Sequence, residues 1–257
     1  TADNGRAALE QMHATRPDVV IADIVMPQMG GWELCRRVWR DLALRDIPVI
    51  LLSWKEDYLQ RMRELGAGAT EYLLKETDRT QVHERVRAAL KPRLDLEARL
   101  AESGDVSGRI EAVGLLTVLR AVARLRPDAR LTVRENWNYF ELVLREGRPV
   151  IAVRETTAGQ SMGGVAAFDA LLAVDGGRFV VGAPNPSAAA RSNLSGDLES
   201  LIASGSKRIV AMIDAIADGQ LMRVGDVELD ERNLDPYLRA APERVRRMIV
   251  RLRSQQS

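Results

Sequence analysis

Cysteine is almost absent from these 257 residues. The single one, Cys35, excludes an internal disulfide framework and fits a reducing, cytoplasmic compartment. Net charge is nearly absent too: 37 Lys and Arg against 36 Asp and Glu leave +1, so nothing draws the whole chain toward nucleic acid or an anionic membrane. No apolar run approaches the length of a membrane-spanning helix, and no charged-then-apolar stretch marks a secretion signal at the start. The only histidines, His13 and His83, lie on polar helical stretches and read as solvated side chains rather than ligands. Metal-ligand spacings, phosphate-cradling glycine loops and dinucleotide fingerprints are missing. What is present is a chain 46% hydrophobic and 28% charged, an ordinary composition for a folded domain or two.

Three regions differ in pattern. Residues 1–91 alternate helical segments with short apolar runs. Ala7, Leu9 and Met12 share a helix that ends before Pro17. The runs Val19 to Ala22, Pro48 to Leu52 and Thr70 to Leu74 read as strands. Trp32 to Trp39, Tyr58 to Leu65 and Thr77 to Leu90 read as helices. Unbroken apolar strands are buried on both faces, as in parallel sheets, and their alternation with helices predicts βαβ units. Residues 92–105 form a charged linker or connecting helix, with Pro92 as a break. Residues 106–184 predict an α+β domain: a helix over Leu115 to Val122, then Leu131 to Val133, Tyr139 to Leu144 and Val150 to Val153 as an antiparallel meander. A helix from Val165 to Val174 and a closing strand at Arg178 to Val181 complete it. Residues 185–257 are mostly helical, with Leu198, Leu201, Ile202, Ile209, Met212, Ile213 and Ile216 on one apolar stripe.

In the first region three strand ends carry chemistry. Asp23 follows one apolar run, Ser53 ends the next, and Lys75 follows the third. Ligands of open parallel sheets bind at the carboxyl ends of strands. The three ends thus bring a carboxylate, a hydroxyl and an ammonium to one edge. The carboxylate can act as a phosphoryl acceptor, and the other two can hold the transferred oxygens. The bland alternative is an unrelated α/β domain with an acidic residue there by chance.

The segment PDVVIADIVMPQMGGWEL resembles the phosphorylation segment of response-regulator receivers, and GAGATEYLLK resembles the segment before their last helix. The resemblance covers about the first third of the chain and implies a flavodoxin-like α/β fold. It implies Asp23 as phosphoacceptor, Ser53 and Lys75 as its catalytic companions, and Tyr72 as the switch aromatic. A histidine kinase would be the donor partner, with Mg2+ held by Asp23, the Val25 backbone carbonyl and an acidic pair. That pair follows the first strand of receivers. Here the chain begins at Thr1 on what reads as a helix, so the expectation is an incomplete, N-terminally truncated receiver whose metal site lacks its pair; Asp3 is a poor substitute. Two further departures are Glu76, where proline is usual, and Trp54, a bulky ring where a small residue is common.

The second region resembles the PATAN-type domain through SGRIEAVGLLTVLRAV, YFELVLREGRPVIAV and GGVAAFDALLAVDGGRFVV. That family is an interaction and dimerisation module, so the resemblance implies a protein partner, a homodimer, and no enzyme. Gly159 to Gly163 matches G-x-S-x-G of serine hydrolases, but both histidines come earlier, and the blander expectation is a flexible loop with Ser161 near a helix start. Trp137 and Tyr139 sit on the hairpin as a partner contact or as turn and core residues. The last helix carries Arg244, Arg246, Arg247, Arg251 and Arg253 among Val245, Met248, Ile249 and Leu252, an amphipathic pattern with a solvated basic face rather than a DNA reader. The leading function is bacterial two-component signalling through a protein-binding output. The alternatives are a DNA-binding transcriptional regulator and a scaffold with a degenerate, unphosphorylated receiver.

Overall fold

The computed structural model describes residues 1–56, 60, 68–135, 137–184, 192–217, 223–224 and 227–228. The chain divides into two compact units, Thr1–Asp95 and Leu96–Ser257. In the first unit, helix α1 (Gly5–Thr15) begins where the Asn4 carboxamide oxygen accepts the Ala7 N–H at 3.0 Å, which satisfies one of the free donors of a helix start. It ends at Arg16, left-handed with φ 45°, just before Pro17. Strand β1 (Val20–Asp23), helix α2 (Gly31–Arg40), strand β2 (Val49–Ser53) and strand β3 (Glu71–Leu74) follow. The strands form a parallel sheet in the order β1-β2-β3. The middle strand is enclosed on both faces through Val49, Ile50 and Leu51, as its unbroken apolar run predicts. Met12 of α1 and Leu34, Cys35 and Val38 of α2 close one face of the core. The helix expected over Tyr58 to Leu65 lies mostly outside the described residues.

Helix α3 (Arg79–Ala101) takes the connecting-helix alternative over most of 92–105, and it corrects one expectation, because it runs through Pro92 without a break. A proline inside a helix removes a hydrogen bond and costs about 3 kcal/mol. Two features offset that cost. Leu96 and Leu100 are buried, and the Arg126 guanidinium binds the carbonyls at the helix end: Leu100 at 2.9 Å, Gly104 at 2.5 Å, and Glu102. A cation there also complements the helix dipole.

The second unit contains strand β4 (Val106–Arg109), helices α4 (Ile110–Val113) and α5 (Leu115–Leu125), and strands β5 (Ala129–Glu135), β6 (Asn138–Arg145), β7 (Arg148–Thr156) and β8 (Ser161–Gly163). Helix α6 (Val165–Leu172), strand β9 (Arg178–Gly182), helix α7 (Leu198–Ala217) and the short pair β10 (Arg223–Val224) and β11 (Val227–Glu228) complete it. Six strands make one antiparallel sheet, β4-β9-β5-β6-β7-β8. Alternation along β5 and β6 turns Leu131, Val133, Phe140 and Leu142 into the core and leaves Arg130, Thr132, Tyr139 and Glu141 on the other face. The β6–β7 turn uses Glu146 and Gly147, both at positive φ (48° and 74°), as tight two-residue hairpins require.

The closing strand does not extend the meander. β9 crosses back to lie between β4 and β5. Strand β4, whose Val-Ser-Gly-Arg carries little strand signal, was not expected. Ser161 begins β8, paired with β7, instead of lying in a loop before a helix. The rest of the β7 edge is covered by Asn193, whose carboxamide accepts the Ala152 N–H and donates to the Ala152 carbonyl. On α7, Leu198, Leu201, Ile202 and Ile209 are buried as expected. The side chains of Met212, Ile213 and Ile216, and the arginines from Arg244 to Arg253, lie outside the described residues. Among the described residues, no helix is long and apolar enough to cross a membrane.

Candidate functional site

Because β1, β2 and β3 are parallel, their carboxyl ends open on one rim. The register decides which residues stand there. Asp23 lies beside Leu52 and Ser53 beside Leu74, while the Lys75 N–H donates to the Ser53 carbonyl at 2.8 Å. Asp23, Ser53 and Lys75 therefore share the rim, as the strand pattern predicts. Asp23 Oδ1 accepts the Val25 N–H at 3.1 Å, a turn typical of aspartate. Asp23 Oδ2 forms an ion pair with Lys75 Nζ. The two side chains remain 31% and 21% exposed, so the pair sits at the mouth of the sheet and not in the apolar core.

Ser53 departs from the simplest expectation. Its hydroxyl accepts the Lys55 N–H at 3.0 Å and donates to the Lys55 carbonyl at 3.1 Å. The rim position is right, but the hydroxyl serves its own loop. That local turn is a known habit of serine, and strand patterning does not reveal it. The ring of Trp54, 67% exposed, lies with its centroid 5.0 Å from Lys75 Nζ. The indole thus borders the ammonium that Asp23 holds, a cation–π contact. Tyr72 stands opposite Leu51 on β3 and packs, partly buried, against the apolar cluster.

The loop after Asp23 is built for close approach. The Gly31 N–H, at the start of α2, donates to the Ile24 carbonyl at 3.1 Å. A Cβ on Gly31 would lie 2.2 Å from the Asp23 carbonyl oxygen and 3.1 Å from Leu51 Cδ2. Only glycine lets the helix start this near the acidic residue. Gln28 takes φ 61° in a three-residue turn closed by the Met29 N–H on the Pro27 carbonyl at 2.7 Å. On the far side, Glu76 lies in a turn closed by the Thr77 N–H on the Leu74 carbonyl at 3.0 Å. Asp78 then caps α3 by accepting the Thr80 N–H at 2.9 Å. Hydrogen bonds from Thr80 hold the Asp78 carboxyl below the usual carboxylate range.

Toward a divalent cation the fit is poor. Mg2+ takes oxygen ligands in near-octahedral order. Among the described residues, the strand ends supply one carboxylate, Asp23, and both of its oxygens are already engaged. Among the described residues, no three His, Cys, Asp or Glu side chains come together as a metal site. These residues do not fit the ion by themselves.

The family model of the response regulator receiver domain matches residues 1–87. The chain is similar to the response regulator MprA of Mycolicibacterium vanbaalenii, 31% identical over 150 residues, which are 58% of this chain and 62% of that protein. It is similar to the transcriptional regulatory protein CseB of Streptomyces coelicolor, 38% identical over 119 residues, 44% of this chain and 47% of that protein. A solved receiver domain of a signal transduction histidine kinase from Syntrophus aciditrophicus is 38% identical, with 34% of this chain and 67% of that one covered and a TM-score of 0.32. The chain spans less than two thirds of the curated relatives it matches, from 8% of a histidine kinase to 63% of a second MprA. Receiver domains are phosphorylated by histidine kinases and bind Mg2+ at their acidic site. Residues 1–87 of this chain are a response regulator receiver domain.

Proposed function

We propose that the chain is a two-component response regulator, phosphorylated on Asp23, whose second unit is a PATAN-type output that acts on a protein partner. The observation that carries this reading is the Asp23–Lys75 ion pair on the rim of three parallel strands. A carboxylate oxygen of Asp23 attacks the phosphorus of a kinase phosphohistidine. The N–P bond breaks, the imidazole leaves with its electron pair, and an acyl phosphate forms. Lys75 passes from the carboxylate to a phosphoryl oxygen. Ser53 gives up the Lys55 backbone and donates to another. Tyr72, already against the apolar cluster, moves further inward. The phosphoryl group adds about −1.5 to −2 charge at pH 7, which biases the β2–β3 side of the unit toward a second arrangement.

Acetyl phosphate supplied to the whole chain tests this. A phosphate-affinity gel is expected to show a retarded band that Asp23→Asn removes. A band that survives Asp23→Asn refutes the assignment. A second reading, a scaffold with an unphosphorylated receiver, is favoured by one observation: both Asp23 oxygens are occupied by protein groups. It is the answer if the folded wild-type chain takes no phosphate with Mg2+ supplied.

A further inference from the structure

The outward face of the six-stranded sheet carries a row of like charges that the register alone brings together. Arg109 on β4 lies directly opposite Arg178 on β9, and Arg178 lies directly opposite Arg134 on β5. The row continues to Tyr139 on β6 and Glu155 on β7. All three arginines are exposed. Arg109 pairs with Glu111 at 2.7 Å. Among the described residues, Arg134 meets only the Tyr139 ring, 5.8 Å from its guanidinium. The Arg178 side chain has no ion-pair partner among the described residues. Like charges directly opposite one another destabilise a sheet, so stability does not account for the row. The same face shows what a stabilising arrangement looks like: Arg130 pairs with Glu141 across β5 and β6 at 2.9 Å and bonds the Tyr139 hydroxyl at 3.0 Å. At the same end of the sheet, Trp137 projects from the β5–β6 turn, 52% exposed.

We infer that the row Arg109–Arg178–Arg134, with Trp137 beside it, is the docking surface of the second unit and takes an acidic protein segment with two or three closely spaced carboxylates. Adjacent strands lie about 4.8 Å apart, so the row presents guanidinium forks at a spacing that long, flexible stems adjust. Aspartates at alternate positions of an extended segment project to one side about 6.6 Å apart, within reach of neighbouring forks. Arginine grips carboxylates in bidentate fashion, and an exposed indole is a frequent anchor in such interfaces.

A polynucleotide fits less well. The row ends at Glu155, so a continuous phosphate backbone would run onto a carboxylate. Tyr139 is covered by Arg134 on one side, and its hydroxyl is held by Arg130, which leaves it a poor stacking platform. The choice of a protein occupant rests on the reading of this unit as a protein-binding output, whereas the row itself does not involve the receiver.

The experiment uses the whole chain, wild type and Asp23→Asn, with no phosphodonor, so that failure of the phosphoacceptor reading leaves it intact. A fluorescein-labelled peptide of alternating aspartate and serine is titrated by anisotropy, beside its asparagine–serine counterpart and a labelled oligothymidylate. The aspartate peptide is expected to bind both chains, more weakly at higher salt. The Arg134→Ala/Arg178→Ala pair is expected to weaken it about tenfold or more. Arg148→Ala removes an exposed arginine at the opposite end of β7 and is expected to change it less than about twofold. No binding of the aspartate peptide overturns the inference, as does a loss equal in Arg148→Ala. Oligothymidylate that binds as tightly as the peptide and responds to the same arginines overturns the protein assignment in favour of nucleic acid.

Discussion

The two sheets of this chain hold their reactive groups in different places. In the receiver the sheet is parallel and covered, so polar chemistry is pushed to the strand ends, where Asp23 and Lys75 meet. In the second unit the sheet is antiparallel with one face turned outward, so its charges stand along the face, as the arginine row does. The receiver also neutralises its key charge internally, whereas two of the three arginines in the row have no carboxylate partner among the described residues. An ion pair closed at the strand ends and a row of charges left open along a face are the chemical consequences of parallel and antiparallel pairing.

The comparison can be broken first at the rim. Gly31→Ala places a Cβ 2.2 Å from the Asp23 carbonyl oxygen, and such overpacking costs about 1–3 kcal/mol. A stability loss of that size, read as a lower urea midpoint, is expected, with weaker acetyl phosphate labelling. An unchanged midpoint means that the helix start can retreat and close approach is not required.

In the second unit, Arg126→Ala strips the carbonyls at the end of α3 of their donor. The expected loss is about 1–2 kcal/mol, read by urea unfolding, with less loss in Arg124→Ala, whose surface ion pair with Glu97 is worth little. Equal losses would remove the capping role.

Trp54→Ala sharpens the picture of the receiver site. The ring–ammonium contact is worth about 0.5–1 kcal/mol, or two- to fivefold in a rate. Loss of phosphate from the labelled chain is expected to speed up by that factor when the ring is removed, while Trp54→Phe retains most of the protection. A lifetime unmoved by either change means that the indole neither steadies Lys75 nor shields the site.

The smallest effect concerns Asp197 at the start of α7. Hydrogen bonds from the Ser200 N–H, at 2.9 Å, and from its hydroxyl, at 2.7 Å, hold this carboxyl below its ordinary 3.8. Its folded pKa is depressed, so the unfolded chain binds the proton first. The contribution is therefore present above 3.8 and disappears as pH falls through the folded value. Urea midpoints followed downward from neutral pH should decline less steeply in Asp197→Asn; parallel curves would show that the cap carries no pH dependence.

Much of the receiver was legible in the sequence because burial on both faces writes itself as unbroken apolar runs. Val19 to Ala22 and Pro48 to Leu52 located two strands, and their ends located Asp23 and Ser53 on the rim. The direction of the Ser53 hydroxyl was not legible, since a local turn with Lys55 competes with the rim for the same oxygen. Pro92 misled because a proline break is a local rule, and the buried leucines and Arg126 that overrule it come from further along the chain.

The sequence by itself determined most element types (though not strands β4 and β8), the alternation of core and surface along β5 and β6, and which side chains end the receiver strands. These follow from periodicities of two and about 3.6 residues, which neighbours along the chain impose on each other. Only the tertiary structure decided that β9 returns between β4 and β5, and with it that Arg109, Arg178 and Arg134 stand side by side. Strand order is chosen by how whole faces pack and which hydrogen-bonding edges remain free, and no local pattern carries that information.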